Sequence, residues 1–177
     1  MKPAIVAIAV PFMLVSAGCL AAERSVYVPT HGPNCVDHSR EHEGAWSCVG
    51  PARFAVDFAD EGNVASVALR TPKRVGKSAA FVFAGRAKVF GDAIEWILDG
   101  DDPKAAVLRI WRAEVSAEGQ EREIQELAVF KITSREVCPV GTVDARRPGA
   151  NEDARRLASK GSVLPCRIRI GASGLPL

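Results

Sequence analysis

The chain has almost no charge excess. Lys and Arg number 23 against 21 Asp and Glu, a formal net charge of +2 at pH 7. Nucleic-acid-binding domains carry a much larger basic surplus, so no nucleic-acid partner is expected. Histidine is scarce, with three in the whole chain, all between His31 and His42. Outside that window no imidazole is available as the base of a nucleophile triad. Gly171-Ala172-Ser173-Gly174 is no nucleophile elbow either, because that turn needs Gly-x-Ser-x-Gly after a strand. No Cys-x-x-Cys is present, which argues against dithiol redox chemistry. Internal repeats and low-complexity segments are lacking. After residue 22 no segment is long and apolar enough to cross a bilayer. These absences imply no cofactor and favour a non-enzymatic protein.

What is present begins at the N-terminus. Lys2 precedes the uncharged stretch Pro3–Ala22, which ends in Ser16-Ala17-Gly18-Cys19-Leu20-Ala21-Ala22. A positive start, an apolar middle and small residues at the end describe a secretory signal peptide over residues 1–22. Cleavage after Ala21 or Ala22 is the favoured reading. A lipoprotein cut before Cys19 is the second, opposed by Ser16 where a large aliphatic residue is usual. An uncleaved anchor is the third, weakened by Pro3 and Pro11. Cleavage leaves residues 23–177, about 155 residues and one β-rich domain, enough to bury roughly 68–70% of the unfolded surface.

Within that domain the apolar residues alternate. Ser25–Val28 reads as a short edge strand stopped by Pro29, followed by an irregular stretch from Thr30 to Gly44. Phe54, Val56 and Phe58, then Val64 to Leu69, predict a hairpin about Glu61-Gly62-Asn63. A basic loop, Arg70–Lys77, precedes a strand at Phe81 and Phe83 ended by Gly85. Ile94, Trp96 and Leu98 share one strand face, and Gly100-Asp101-Asp102-Pro103 is a turn. Ala105–Trp111 reads as a central strand, followed by Ile124–Ile132 and Val137–Val143. Near the end Asn151 is the expected N-cap of a helix of about nine residues, with Gly161 as its stop. So short a helix must dock through Ala154, Leu157 and Ala158. The pattern predicts an α+β, mainly β fold: an antiparallel meander closing into a barrel or sandwich, with one C-terminal helix.

Loss of Cys19 leaves Cys35, Cys48, Cys138 and Cys166, an even number suited to an oxidising compartment. Four cysteines allow three pairings. Locality favours Cys35–Cys48 and Cys138–Cys166, each stabilising by about 3 kcal/mol. His31, His38 and His42 lie among Cys35, Asp37, Glu41 and Glu43. On a helical turn His38 and His42 would share a face and bind Zn²⁺ or Cu²⁺, whereas a solvated loop with Cys35 in a disulfide is the competing reading. Asp99, Asp101 and Asp102 suggest Ca²⁺ only superficially and fit a hairpin turn better. Glu95 and Glu126 are strand-embedded carboxylates, an acid–base pair only if they face each other. Arg146, Arg147, Arg155, Arg156 and Lys160, with Arg167 and Arg169 beyond, would form a patch for an anionic partner if they converge. A second basic group is Arg70, Lys73, Arg74 and Lys77. Trp46, Trp96 and Trp111 read as core anchors rather than as a sugar-stacking platform.

Several landmarks occur together: Trp46-Ser47-Cys48-Val49-Gly50 after Cys35, Ile94-Glu95-Trp96, Ala106-Val107-Leu108-Arg109-Ile110-Trp111, Val137-Cys138, Gly141-Thr142-Val143-Asp144-Ala145, Asn151, Ala154-Arg155 and the closing Cys166. In this order the chain resembles a group of uncharacterised exported alphaproteobacterial proteins. The resemblance implies export and two disulfides, and brings no agreed activity. The group's histidine after the third cysteine is replaced here by Pro139. The combined expectation is a periplasmic or secreted, non-catalytic binding module whose partner is an envelope protein or anionic polymer. A metal-binding protein using the His-rich loop is the alternative, and an enzyme acting on envelope polymers is the third reading.

Overall fold

The computed structural model describes residues 23–39, 44–83 and 88–167. The signal-peptide and Cys19 readings, His42, Gly85 and Arg169 fall outside them.

Among the described residues eleven strands form two antiparallel sheets. Sheet A orders its strands β1 (Arg24–Pro29), β8 (Phe90–Asp99), β9 (Asp102–Val115), β10 (Glu121–Ile132) and β11 (Val137–Asp144). Sheet B orders β2 (Cys35–Asp37), β3 (Ala45–Val49), β4 (Ala55–Glu61), β5 (Val64–Thr71) and β6 (Arg74–Val75), with β7 (Ala79–Val82) also on β5. The sheets pack face to face as a sandwich, and among the described residues no closed barrel forms. A third layer, α1 (Ala150–Ser159), lies on the outer face of sheet A against β9, β10 and β11.

The alternation sorts side chains into two apolar layers. Along β8, Ile94, Trp96 and Leu98 enter the inter-sheet core with Val56, Val67, Leu69 and Phe130. Each such large side chain contributes roughly 1.5–3 kcal/mol by leaving water. Aromatic edges fill the centre: Phe58 and Phe90 lie 4.9 Å apart between centroids, and Phe54 meets Trp96 edge-on at 5.7 Å. At Gly50 a β-carbon would stand 2.6 Å from the Trp96 ring, so a residue without one is required there. The opposite face of sheet A carries Ile97, Val107, Leu127 and Val129, which meet Ala150, Ala154 and Ala158 of α1.

Several expectations change in detail. Thr30–Gly44 is not wholly irregular, because Cys35–Asp37 pairs with β3. Arg70–Lys77 contains a second tight hairpin, β5 to β6. The helix is capped by Gly149 in the left-handed region (φ 76°), and Asn151 lies inside its first turn. Starting at Ala150 extends the Ala154–Ala158 stripe by one turn, so burial outweighs a side-chain cap. Gly161 is not a left-handed stop. It opens a short 3₁₀ turn pressed on β10, where a β-carbon would stand 3.1 Å from that of Lys131.

Both local disulfides are present, Cys35–Cys48 and Cys138–Cys166. The second pins the segment after α1 to β11. Beneath that segment the buried Lys131 ammonium donates to the Leu164 carbonyl at 2.6 Å and pairs with Glu136 at 2.5 Å.

Candidate functional site

Register places Tyr27 of β1 opposite Glu95 of β8, and Glu95 opposite Val107 of β9. All three therefore lie on the outer face of sheet A, the face that α1 partly covers. Glu95 is buried, its side chain only 7% exposed. A buried carboxylate needs donors, and it has two. Ser25 Oγ donates to its Oε1, and Arg155 Nε reaches the same atom from α1 at 2.7 Å. Arg155 continues through Nη2 to the Tyr27 hydroxyl at 2.9 Å. The hydrogen bond to Glu95, then its charge, holds the Arg155 pKa above the ordinary guanidinium value. This bridge ties the edge strand β1, the inner strand β8 and the helix together.

Two cavities flank the bridge. One, of about 440 Å³, is lined by Tyr27, Ala93, Glu95, Arg109, Trp111 and Asn151, among others. The second, of about 320 Å³, is lined by Arg109, Arg147, Asn151, Glu152 and Arg155, with Gly149 and Ala150 at the helix start. They meet at Arg109 and Asn151 and form one groove between α1 and the exposed part of β8 and β9. Arg109 is half-buried, and its Nη1 reaches only the Gln125 amide oxygen, at 3.5 Å. Among the described residues neither Arg109 nor Arg147 has a carboxylate within 4 Å, although the Arg147 charge helps lower the Asp144 pKa, whereas Arg155 is bonded to Glu95.

The expected basic patch is thereby divided. Arg147 and Arg155 line the groove. Arg146 pairs with Asp144 at 3.3 Å, and Arg156 pairs with Asp153 on its own helix. Lys160 lies at the opposite end of α1. Sequence reasoning did not include Arg109 in the patch. Its signal was positional: Val107, Arg109 and Trp111 share one face of β9, and Arg109 is the one charge on that otherwise apolar face. Trp111 likewise departs from expectation. Trp96 is core and Trp46 packs against the core, but Trp111 is half-exposed in the groove, with the Lys88 ammonium 5.4 Å from its ring centre.

The remaining candidates separate in space. Glu126 sits opposite Ile110 and faces the other side of sheet A, gripped by Arg112 at 2.6 Å and by Thr142 at 3.1 Å. Glu95 and Glu126 are therefore on opposite faces and form no acid–base pair. Asp99 and Asp102 close the β8–β9 hairpin, and Asp101 pairs with Arg24 at 2.7 Å. His31 packs against Trp46 at 5.0 Å between rings, and His38 Nε2 lies 2.9 Å from Ser47 Oγ. Cys35 is the first residue of strand β2, not part of a helix, and its sulfur is in the disulfide, not a thiolate. Among the described residues one group of three metal-ligand types gathers, Glu136, Cys138 and Cys166. Both of its sulfurs belong to a disulfide, which withholds them from a metal.

No helix among the described residues is long and apolar enough to cross a membrane. No protein-family model, curated protein or solved structure gives a significant match to the chain.

Proposed function

We propose that this chain is an exported, non-catalytic binding module of the cell envelope, and that it takes an anionic partner in the groove between α1 and the outer face of sheet A. One observation carries the reading. Arg109, Arg147 and Arg155, from a strand, a loop and a helix, line one cavity, and two of them have no carboxylate partner among the described residues. Guanidinium groups are suited to this because their fixed donors match carboxylate and phosphate geometry. Two disulfides support export, since such bonds persist in oxidising compartments. The separation of Glu95 from Glu126 by the thickness of the sheet supports binding over acid–base chemistry.

The test is retention on immobilised polygalacturonate and polyglutamate at low salt. Retention on at least one is expected, falling as salt rises. The double variant Arg109→Glu/Arg147→Glu should elute with the flow-through. Lys73→Glu/Lys160→Glu removes the same charge from exposed positions elsewhere and should be retained. Absence of retention on both polymers, or equal loss in the two variants, overturns the proposal.

A further inference from the structure

The two chambers of the groove differ in chemistry, and the difference selects among anions. The arginine chamber asks for a negative group. The larger chamber offers aromatic faces at Tyr27 and Trp111, apolar floor at Val107 and Leu127, and carboxylate acceptors at Glu95 and Asp92. Arg109 stands at the junction, two residues before Trp111 on the same face of β9, about 7 Å away along the strand. We infer that the group seated here is an acidic sugar of the hexuronate type, its carboxylate on Arg109 and Arg147 and its ring against Trp111. This rests on the anionic-partner reading above.

The alternatives fit the larger chamber less well. An isolated phosphate uses the arginines and leaves the aromatic chamber empty. An acidic peptide turns backbone carbonyls as well as amides toward Glu95 and Asp92, so acceptor meets acceptor. A sugar ring presents C–H groups to an aromatic face and hydroxyl donors at its rim, which suits carboxylates and the Asn151 amide together. Pockets that hold such ligands commonly measure ~300–1,000 Å³, and both chambers lie in that range. Lys88 stands over Trp111 and would have to move. It is held there by an exposed pair with Asp92 at 2.7 Å, an interaction worth at most ~1 kcal/mol, so displacement is cheap.

The experiment is a calorimetric titration of the protein with trigalacturonate, a neutral galactose trisaccharide, triglutamate and inorganic phosphate. Trigalacturonate is expected to bind with a Kd of about 1 mM or tighter, and each of the others at least ~10-fold more weakly. Trp111→Ala should weaken trigalacturonate about 10-fold while leaving polyglutamate retention unchanged. Should Trp111→Ala fold poorly, Asn151→Ala, at an exposed helix position, provides the second reading and should weaken trigalacturonate several-fold. Triglutamate or phosphate binding as tightly as trigalacturonate, or no loss in either variant, overturns the acidic-sugar inference and leaves the anionic-partner reading standing. Failure of every anion here, together with failure of both polymers on the column, removes both.

Discussion

The bridge Cys138–Cys166 should be the larger of the two covalent contributions to stability, and its removal has a calculable cost. The cysteines are 28 residues apart, and the closed loop contains all of α1. Loop-closure entropy for that length gives roughly 3.6 kcal/mol at 25 °C, against roughly 2.9 kcal/mol for the 13-residue separation of Cys35–Cys48. The structure widens the gap. Cys35 lies on β2, a three-residue edge strand that is able to fray without opening the core. Cys166 holds down the segment whose Leu164 carbonyl covers the Lys131 ammonium, so releasing it hydrates a buried charge site. At about 2–4 °C per kcal/mol for a domain of this size, Cys138→Ala/Cys166→Ala should lower Tm by roughly 7–14 °C. Cys35→Ala/Cys48→Ala should lower it by less. Scanning calorimetry of both variants at neutral pH decides. A drop below about 3 °C for Cys138→Ala/Cys166→Ala, or a larger drop for the other variant, refutes the reasoning.

Two further outcomes follow from the electrostatics. Arg155→Ala strips the Glu95 carboxylate of one of its two donors and should cost about 1.5–3 kcal/mol, and pairing it with Glu95→Gln should recover part of that in a double-mutant cycle, whereas additive losses would mean the bridge carries no coupling. Acid should destabilise the fold through carboxylates whose folded pKa lies below the ordinary value: Glu136, bonded to Lys131; Glu114, bonded to Arg122; and Asp144, held by the Arg146 backbone amide. In that interval the unfolded chain binds more protons, so their contribution is complete above the unfolded pKa, near 4.5 for glutamate, and is lost as pH falls through the lower folded values. Asp60, raised by burial, works in the opposite sense. Urea midpoints should therefore be nearly level from pH 7 to about 5 and decline below about 4.5, and a midpoint that rises as pH falls from 5 to 4 would contradict this.

Much of the fold was legible because period-two alternation is a local property. The β4–β5 hairpin about Gly62-Asn63 and the central strand β9 follow from side chains that must face alternately inward and outward. The helix was legible as an alanine-lined stripe, but its start was not, because the preference for Asn151 as a cap yielded to the burial of Ala150 against a sheet that the local sequence does not contain. The cysteine pairing followed from locality alone. The site was legible only in fragments. Arg147 and Arg155 stood out as charges near a helix, while Arg109 and Trp111 looked like parts of a buried strand.

Charge balance, the even cysteine count after Cys19, the strand periodicity and the helix near the C-terminus were all legible in the order of the amino acids. These depend on composition or on neighbours a few residues apart. Which face each strand residue occupies relative to α1 was settled by the packing of the helix on sheet A. That choice set Glu95 and Glu126 on opposite sides of one sheet and brought Arg109 of β9 into the same cavity as Arg155 of α1. The helix is the cause: it covers only part of the outer face of sheet A, and the uncovered remainder is the groove.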